Sequence, residues 1–378
     1  MSKQVKLIAF GDNLIHKELY KAAEYEPGKY CFDGMFSHVK PVVEQADVAI
    51  INQETMMVGD HSQVSSFPYF GSPQEVGDAI AAAGFSVVTH ASNHALDKGY
   101  SAIQSTAEFW KKKYPKMMVT GIHASSEDQR KIRVITRHGI RIAVLNYTES
   151  LNFKRIPSKE PYCIDVMKKN RKKRIAAQIK KAATYADIVL VMPHWGCEYL
   201  YEPIQSQKDW ASFFAECGAD LIIGTHPHVI QPKEVLHTSD GREVPCIYSL
   251  GNFISCQVKA GTMLGGMADV LIEKEDDKAV IKKAEIVPIV THTDEEYSYF
   301  TTYRLEDYTD ELASCNKIFR IVEKKYDVTV DYPYLCNLFE KIMTGKAQKE
   351  NEFQTPRDVM MANVKGVFYS SIGKNVKK

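Results

Sequence analysis

Eight strand-length apolar runs recur along the chain: Val5 to Phe10, Val48 to Ile51, Phe85 to Thr89, Ile140 to Leu145, Ile188 to Met192, Leu221 to Ile223, Cys246 to Leu250 and Ala268 to Ile272. Their apolar residues are continuous and do not alternate with polar ones, which requires strands buried on both faces. Each run ends in a polar or glycine-marked turn, often followed by a longer segment of helical periodicity. The expectation is a layered α/β domain with helices covering its sheets. No uninterrupted stretch of about 18 apolar residues occurs, so no membrane span is expected.

Charge narrows the partners. The 378 residues carry 48 Lys plus Arg against 47 Asp plus Glu, a net charge of +1. A protein that lives on phosphate backbones shows a basic excess, so no specific nucleic-acid partner is expected. The run Lys168 to Arg174 is the exception, read either as a solvated helix face or as an anionic-polymer patch. The eight cysteines form no C-x-x-C pair, which speaks against metal ribbons and redox dithiols and for reduced thiols. The N-terminal apolar run stops at Asp12 without a cleavage pattern. As given, the chain reads as cytoplasmic, or extracytoplasmic if a leader has been removed.

Helix signals punctuate the runs. Ser72-Pro73-Gln74-Glu75 has the form of a capping box, opening a helix through Ala83 that Gly84 stops. Ser206 to Asp209 is a weaker version before Trp210 to Cys217, and Val166 to Ala186 places Ile175, Ile179 and Ala182 on one stripe. The texture changes near residue 290. Leu312, Cys315, Phe319 and Val322, then Leu335, Phe339 and Ile342, follow helical spacing, and a last amphipathic segment runs from Val359 to Phe368. The expected organisation is one domain over residues 1–290 and a mostly helical extension over 291–378 packed on it.

In open α/β sheets ligands bind beyond the C-terminal ends of the strands. Five such ends carry polar residues: Gly11-Asp12 with His16 four residues on, Asn52-Gln53-Glu54-Thr55, Ser92-Asn93-His94 with Asp97 three further, Pro193-His194-Trp195, and Gly224-Thr225-His226-Pro227-His228. Any one of these is unremarkable as a turn, cap or interior histidine. Imidazoles directly past three of the five ends, at His94, His194 and His226 with His228, are not. Mixed oxygen and imidazole donors suit zinc, iron or manganese, whereas calcium wants oxygens. Two ions would need a bridging carboxylate, for which Asp12 and Glu54 are available, and such a pair activates water and clamps a phosphoryl group. His94 adjoins a candidate amide ligand and would face substrate, with Asp97 placed to orient it.

These motifs, together with Tyr248-Ser249-Leu250-Gly251-Asn252-Phe253, occur in the order seen in bacterial capsule-synthesis CapA proteins, which the chain resembles over residues 5 to 290. Those are poly-gamma-glutamate biosynthesis proteins of the calcineurin-like metallophosphoesterase superfamily. The resemblance implies a four-layer α/β/β/α sandwich and a divalent metal centre of two ions, Mn, Fe or Zn. By the same resemblance, Asp12 and Glu54 are the carboxylate ligands, with Glu54 where the superfamily has its bridging aspartate. Asn93, His194 and His226 serve one ion and His228 the other. His94 is the non-liganding catalytic histidine and Asp97 its acidic partner. Many superfamily members have histidine two residues after the first aspartate. Here that position is Leu14, which weakens the first metal position, and His16 and Trp195 are further candidate metal or substrate contacts.

The leading expectation is a metal-dependent hydrolase of a small-molecule phosphoester. The alternatives are a non-hydrolytic accessory protein that binds an anionic polymer such as poly-gamma-glutamate, with Trp195, Tyr199 and Tyr201 lining a groove, and a metal-dependent glutamyl amide hydrolase.

Overall fold

The structure, a computed structural model, describes residues 3–347 apart from residue 277. Two sheets form its centre. The larger runs in the order Phe300–Arg304, Lys278–Thr293, Leu264–Glu275, Lys3–Asn13, Val48–Gln53, Val87–Thr89, Met118–Thr120, with the short Asn252–Ile254 strand beside the end of Lys3–Asn13. Its last four strands are parallel and the first three antiparallel. The smaller sheet runs Ile230–His237, Glu243–Leu250, Leu221–Ile223, Ile188–His194, Ile140–Thr148, Val134–Arg137, with four parallel strands at its middle.

Alternation along the strands builds the layers. From Lys3–Asn13, Leu7 and Ala9 point into a core shared with Ile142, Val144, Leu190 and Ile223 of the other sheet. Ile8 and Phe10 point outward, onto Val76 and Ile80 of the helix Glu75–Ala82 and Phe109 and Trp110 of the helix Gly99–Lys113. The smaller sheet repeats this: Ala143, Val189 and Ile222 pack under Ile175 and Ile179 of the helix Lys172–Tyr185 and Trp210 and Phe214 of the helix Gln205–Cys217. The result is the expected four-layer α/β/β/α sandwich. Continuous apolar runs were needed because each strand buries both faces.

Local expectations fared unevenly. Ser72 does not cap a helix: its hydroxyl bonds the Thr55 hydroxyl at 2.6 Å, Ser72–Pro73 pairs with Met57–Val58, and the helix opens at Glu75. At the Gln205–Cys217 helix the reciprocal bond comes from Gln207, whose Oε1 accepts the Ile204 amide at 3.0 Å, so the Ser206 to Asp209 pairing is also replaced. All eight cysteines are free thiols.

The larger sheet passes residue 290. The strand Lys278–Thr293 spans it, and Phe300–Arg304 adds a further strand. The helices Asp310–Cys315, Lys317–Tyr326 and Tyr332–Met343 follow. Ile318, Phe319, Val322, Leu335 and Ile342 are buried in the same core that lies between the sheets. The segment Val359 to Phe368 lies outside the described residues.

Candidate metal centre

The parallel strands of both sheets end at one edge of the sandwich, and the polar strand ends meet there. Asp12, Glu54, Asn93, His194, His226 and His228 are all buried. Asp12 sits where Lys3–Asn13 loses its regular register with both neighbours. A Cβ at Gly11 would overlap the Gly251 carbonyl, so only glycine lets the two strand ends close to this distance. The Asp12 carboxylate is fixed by Asn52 Nδ2 at 2.8 Å and by the His226 amide at 3.1 Å.

Three imidazoles surround it. His194 Nδ1 lies 2.9 Å from Thr225 Oγ1, leaving Nε2 pointing at Asn93 Oδ1 (2.8 Å) and His226 Nδ1 (3.2 Å). His228 Nδ1 lies 3.2 Å from Asp12 Oδ2 and 3.0 Å from Asn252 Oδ1. His226 and His228 both have left-handed backbone, φ 99° and 60°, a conformation that costs a side-chain-bearing residue and is held here by its surroundings. The His-Pro-His loop therefore presents both rings to one place.

Glu54 is the telling residue. Its carboxylate is fully buried and neither oxygen accepts a hydrogen bond. Around it stand His194 Nε2 at 3.6 Å, His228 Nδ1 at 3.9 Å and His94 Nε2 at 3.9 Å. A buried carboxylate without donors is costly, and a cation held among these groups removes that cost. Ligand atoms of Glu54, His226 and His228 fall within 4.8 Å of one another. Oxygen and imidazole donors of this kind fit zinc, iron or manganese.

Electrostatics agree with a site built for positive charge. Burial alone would lower the His228 imidazole, but the Glu54 and Asp12 carboxylates outweigh it and hold it up at about 9. Burial would raise Asp12, yet the His228 hydrogen bond and the charges of His194 and His228 leave it below the usual carboxylate range. His16 is pushed down to about 4, first by burial and then by His228.

His94 and Asp97 stand at the side of this cluster. His94 Nδ1 is 2.7 Å from Asp97 Oδ2, the oxygen that also accepts the Phe70 amide at 2.9 Å. Nδ1 is thus engaged, and Nε2 faces the Glu54 side. Phe70 packs edge-on to both His94 and His16, with ring centres 4.7 and 5.3 Å apart, so His16 borders the same cleft. Its Nδ1 accepts the Cys256 amide at 3.3 Å.

Trp195 is placed elsewhere. Its indole is fully buried, donates to the Tyr248 carbonyl at 2.9 Å and stacks on Phe214 and Tyr248 in the outer core. It is a packing residue and not a metal or substrate contact, because directly after the strand that ends at His194 its ring turns to the outer core while the His194 ring turns to the cleft. Tyr201 is likewise in the core, whereas the Tyr199 ring lies 6.1 Å from that of His228. In the run Lys168 to Arg174, Lys172 sits over Trp210 and Phe213, and Arg174 pairs with Asp165 at 3.5 Å.

A sixth strand end joins the five read from the sequence. Beyond the run Ile140 to Leu145, Asn146 Oδ1 accepts the His90 and Ala91 amides at 3.1 and 2.6 Å, and its Nδ2 donates to the Met192 carbonyl at 2.7 Å. This ties the loop bearing Asn93 to the strand bearing His194. Asn152, further along, lies 3.4 Å from His94 Nδ1 and 3.3 Å from Asn93 Nδ2. The end of that apolar run was the available signal.

The family of the chain accords with this geometry. Residues 6–257 match the family described as bacterial capsule synthesis protein PGA_cap. The chain is 26% identical over 289 residues to the PGA biosynthesis protein CapA of Bacillus subtilis (strain 168), covering 75% of this chain and 70% of that one. It is 28% identical over 231 residues to the capsule biosynthesis protein CapA of Bacillus anthracis, covering 60% of this chain and only 54% of that relative's length. Similar solved structures include the calcineurin-like phosphoesterase YfkN of Bacillus subtilis, at TM-score 0.43 and 12% identity over 92% of this chain and 99% of that one. Another is a hypothetical protein of Thermus thermophilus, at TM-score 0.41 and 14% identity over 75% and 97%. Because the family match runs through about two thirds of the chain and contains every residue of the cluster, the chain belongs to the bacterial capsule synthesis protein family.

Proposed function

We propose that the chain is a metal-dependent hydrolase of a phosphoester, and the observation that carries this reading is the Glu54 carboxylate, buried without a hydrogen-bond donor among three histidines, His94, His194 and His228. Asp12, Glu54, Asn93, His194, His226 and His228 would hold the divalent ions. Divalent ions supply water activation and neutralise charge on a transferring phosphoryl group. The protein supplies the rest. Asn52 and the His226 amide hold Asp12, Thr225 turns the His194 ring, and Asn252 turns that of His228.

His94 is the proton donor in this reading. With Nδ1 bonded to Asp97, the proton on Nε2 passes to the ester oxygen as its bond to phosphorus breaks and a water oxygen bonds to phosphorus, and the proton that this water gives up restores the one lost from Nε2. Asp97 holds the ring so that Nε2 keeps its aim at the leaving oxygen.

The capsule names of the relatives favour one competing reading, an anionic polymer such as poly-gamma-glutamate bound without hydrolysis or cut at a glutamyl amide. One experiment separates them: metal content together with turnover on aryl and alkyl phosphoesters and on a glutamyl amide, for the wild type and Glu54→Ala. The expected result is bound metal and phosphoester turnover in the wild type, both lost in a folded Glu54→Ala. Bound metal with no phosphoester turnover would transfer the site to the polymer reading, and unchanged metal in Glu54→Ala would remove the metal centre altogether.

A further inference from the structure

The two loops that flank His94 carry exposed aromatic rings beside a set of unopposed cations. Residues 62–70 contain no charge. Phe70, at their end, turns inward onto His94, while Phe67 is 75% exposed and Tyr69 also faces outward. Residues 150–159 hold Lys154, Arg155 and Lys159, all exposed, and no acid. In that second loop Asn152 reaches the His94 and Asn93 side chains, and the next residue, Phe153, is fully exposed. Both have left-handed backbone, φ 46° and 66°, so the chain accepts an unfavourable conformation that keeps Asn152 in and Phe153 out. The loops touch: Lys154 Nζ lies 4.6 Å from the centre of the Tyr69 ring. Across the cleft, on the His228 side, Val258 is exposed too, and Lys259 lies over the Tyr199 ring.

Scattered exposed apolar residues need no explanation, but phenyl rings gathered beside cations at the mouth of a cleft do. Phenylalanine has no polar handle, so Phe67 and Phe153 gain nothing from a hydrophilic polyanion or from water. They gain by entering an apolar medium, and Lys154, Arg155 and Lys159 gain by meeting negative headgroups above it. We infer that these loops dock the cleft reversibly on the surface of an anionic lipid bilayer. Among the described residues no helix is long and apolar enough to cross a membrane, and docking of this kind needs none. The inference stands whether or not the site is hydrolytic, and it sets the cleft mouth at headgroup depth.

Flotation of the full chain with vesicles tests it, using phosphatidylcholine alone and phosphatidylcholine mixed with phosphatidylglycerol. The protein should float with the mixed vesicles and not with phosphatidylcholine alone, and high salt should release part of it. The double variant Phe67→Ser, Phe153→Ser, with an unchanged melting temperature because both rings are exposed, should bind about tenfold more weakly. Lys154→Ser with Arg155→Ser should weaken binding to mixed vesicles and reduce its salt dependence, leaving the share carried by Lys159. A wild type that stays with the soluble fraction overturns the inference. So does a Phe double variant that floats as well as the wild type. If soluble polyglutamate binds the wild type and loses that binding in the Phe variant, the patch serves a polymer and the bilayer reading falls.

Discussion

At the scale of single residues the site separates groups that could hold a cation from one that could move a proton. His94 is the second kind: Asp97 engages its Nδ1 at 2.7 Å, and its Nε2 is 3.9 Å from the nearest Glu54 oxygen. His94→Ala should therefore retain metal and fold while phosphoester turnover falls by about 10²–10⁴-fold, with activated aryl esters least affected because their leaving groups need little protonation. Asp97→Asn should show a smaller loss in the same direction. Measuring kcat/KM on matched aryl and alkyl phosphoesters, alongside metal content, decides the matter. Metal loss in proportion to activity would make His94 a ligand. Undiminished turnover would leave it a structural histidine.

At the scale of elements, the loops that end the strands are held by cross-sheet bonds more than by their own sequence. Asn146 is the clearest case, because one side chain takes two amides from the loop after Val87–Thr89 and gives one bond to the strand Ile188–His194. In Asn146→Ala the Ala91 amide loses its acceptor, at about 1–3 kcal/mol for a buried group left unmatched, while the His90 amide keeps the Thr120 carbonyl at 3.0 Å. The variant should melt earlier and bind metal more weakly, although Asn146 lies among none of the donors around Glu54. A metal titration on the refolded variant checks this, and affinity equal to that of the wild type would confine Asn146 to stability. The C-terminal helices act through packing in the same way. Asn316 caps the helix Lys317–Tyr326 and also donates to the Thr291 carbonyl and the Tyr308 hydroxyl, joining helix to sheet.

At the scale of the whole molecule two expectations follow. Truncation after Arg304 removes Ile318, Phe319, Val322, Leu335 and Ile342 from the core between the sheets, where each contributes about 1.5–3 kcal/mol of burial. The truncated chain should aggregate or melt far below the full one while any folded fraction still binds metal, since none of the clustered donors lies beyond His228. Metal loss from a well-folded truncation would contradict that. The second concerns acid. Burial pushes His90 down to about 3 and His16 and His292 to about 4. His90 Nε2 accepts the Trp110 indole N–H at 2.9 Å and cannot do so when protonated. Between about pH 6.5, where the unfolded imidazoles take up protons, and those folded values, the unfolded state binds more protons. The contribution of these three histidines should therefore be full above pH 6.5 and fall as pH drops toward 4, whereas that of His228, held up at about 9, is present below pH 6.5 and lost as pH rises toward 9. Denaturant melts across that range, repeated on His90→Gln, check it; the variant should lose part of the slope, and an identical slope would acquit His90.

Much of this was legible in the chain because it depends on local order. Continuous runs such as Val5 to Phe10 dictated burial on both faces, and therefore layers, since successive side chains of a strand point opposite ways. The residues just past those runs are the ones that meet around Glu54, because strand ends are where a sheet opens to ligands. Other features were not local. Ser72 gave its hydroxyl to Thr55 in place of a helix N-terminus, Trp195 turned into the outer core beside a histidine that turned to the cleft, and Asn146 bound a loop more than fifty residues away. The bare Glu54 carboxylate is likewise a property of the stacked sheets. Periodicity records which residues leave water, but which strand ends then face one another is settled only when two sheets pack, because those contacts span the chain and no short stretch of it contains them.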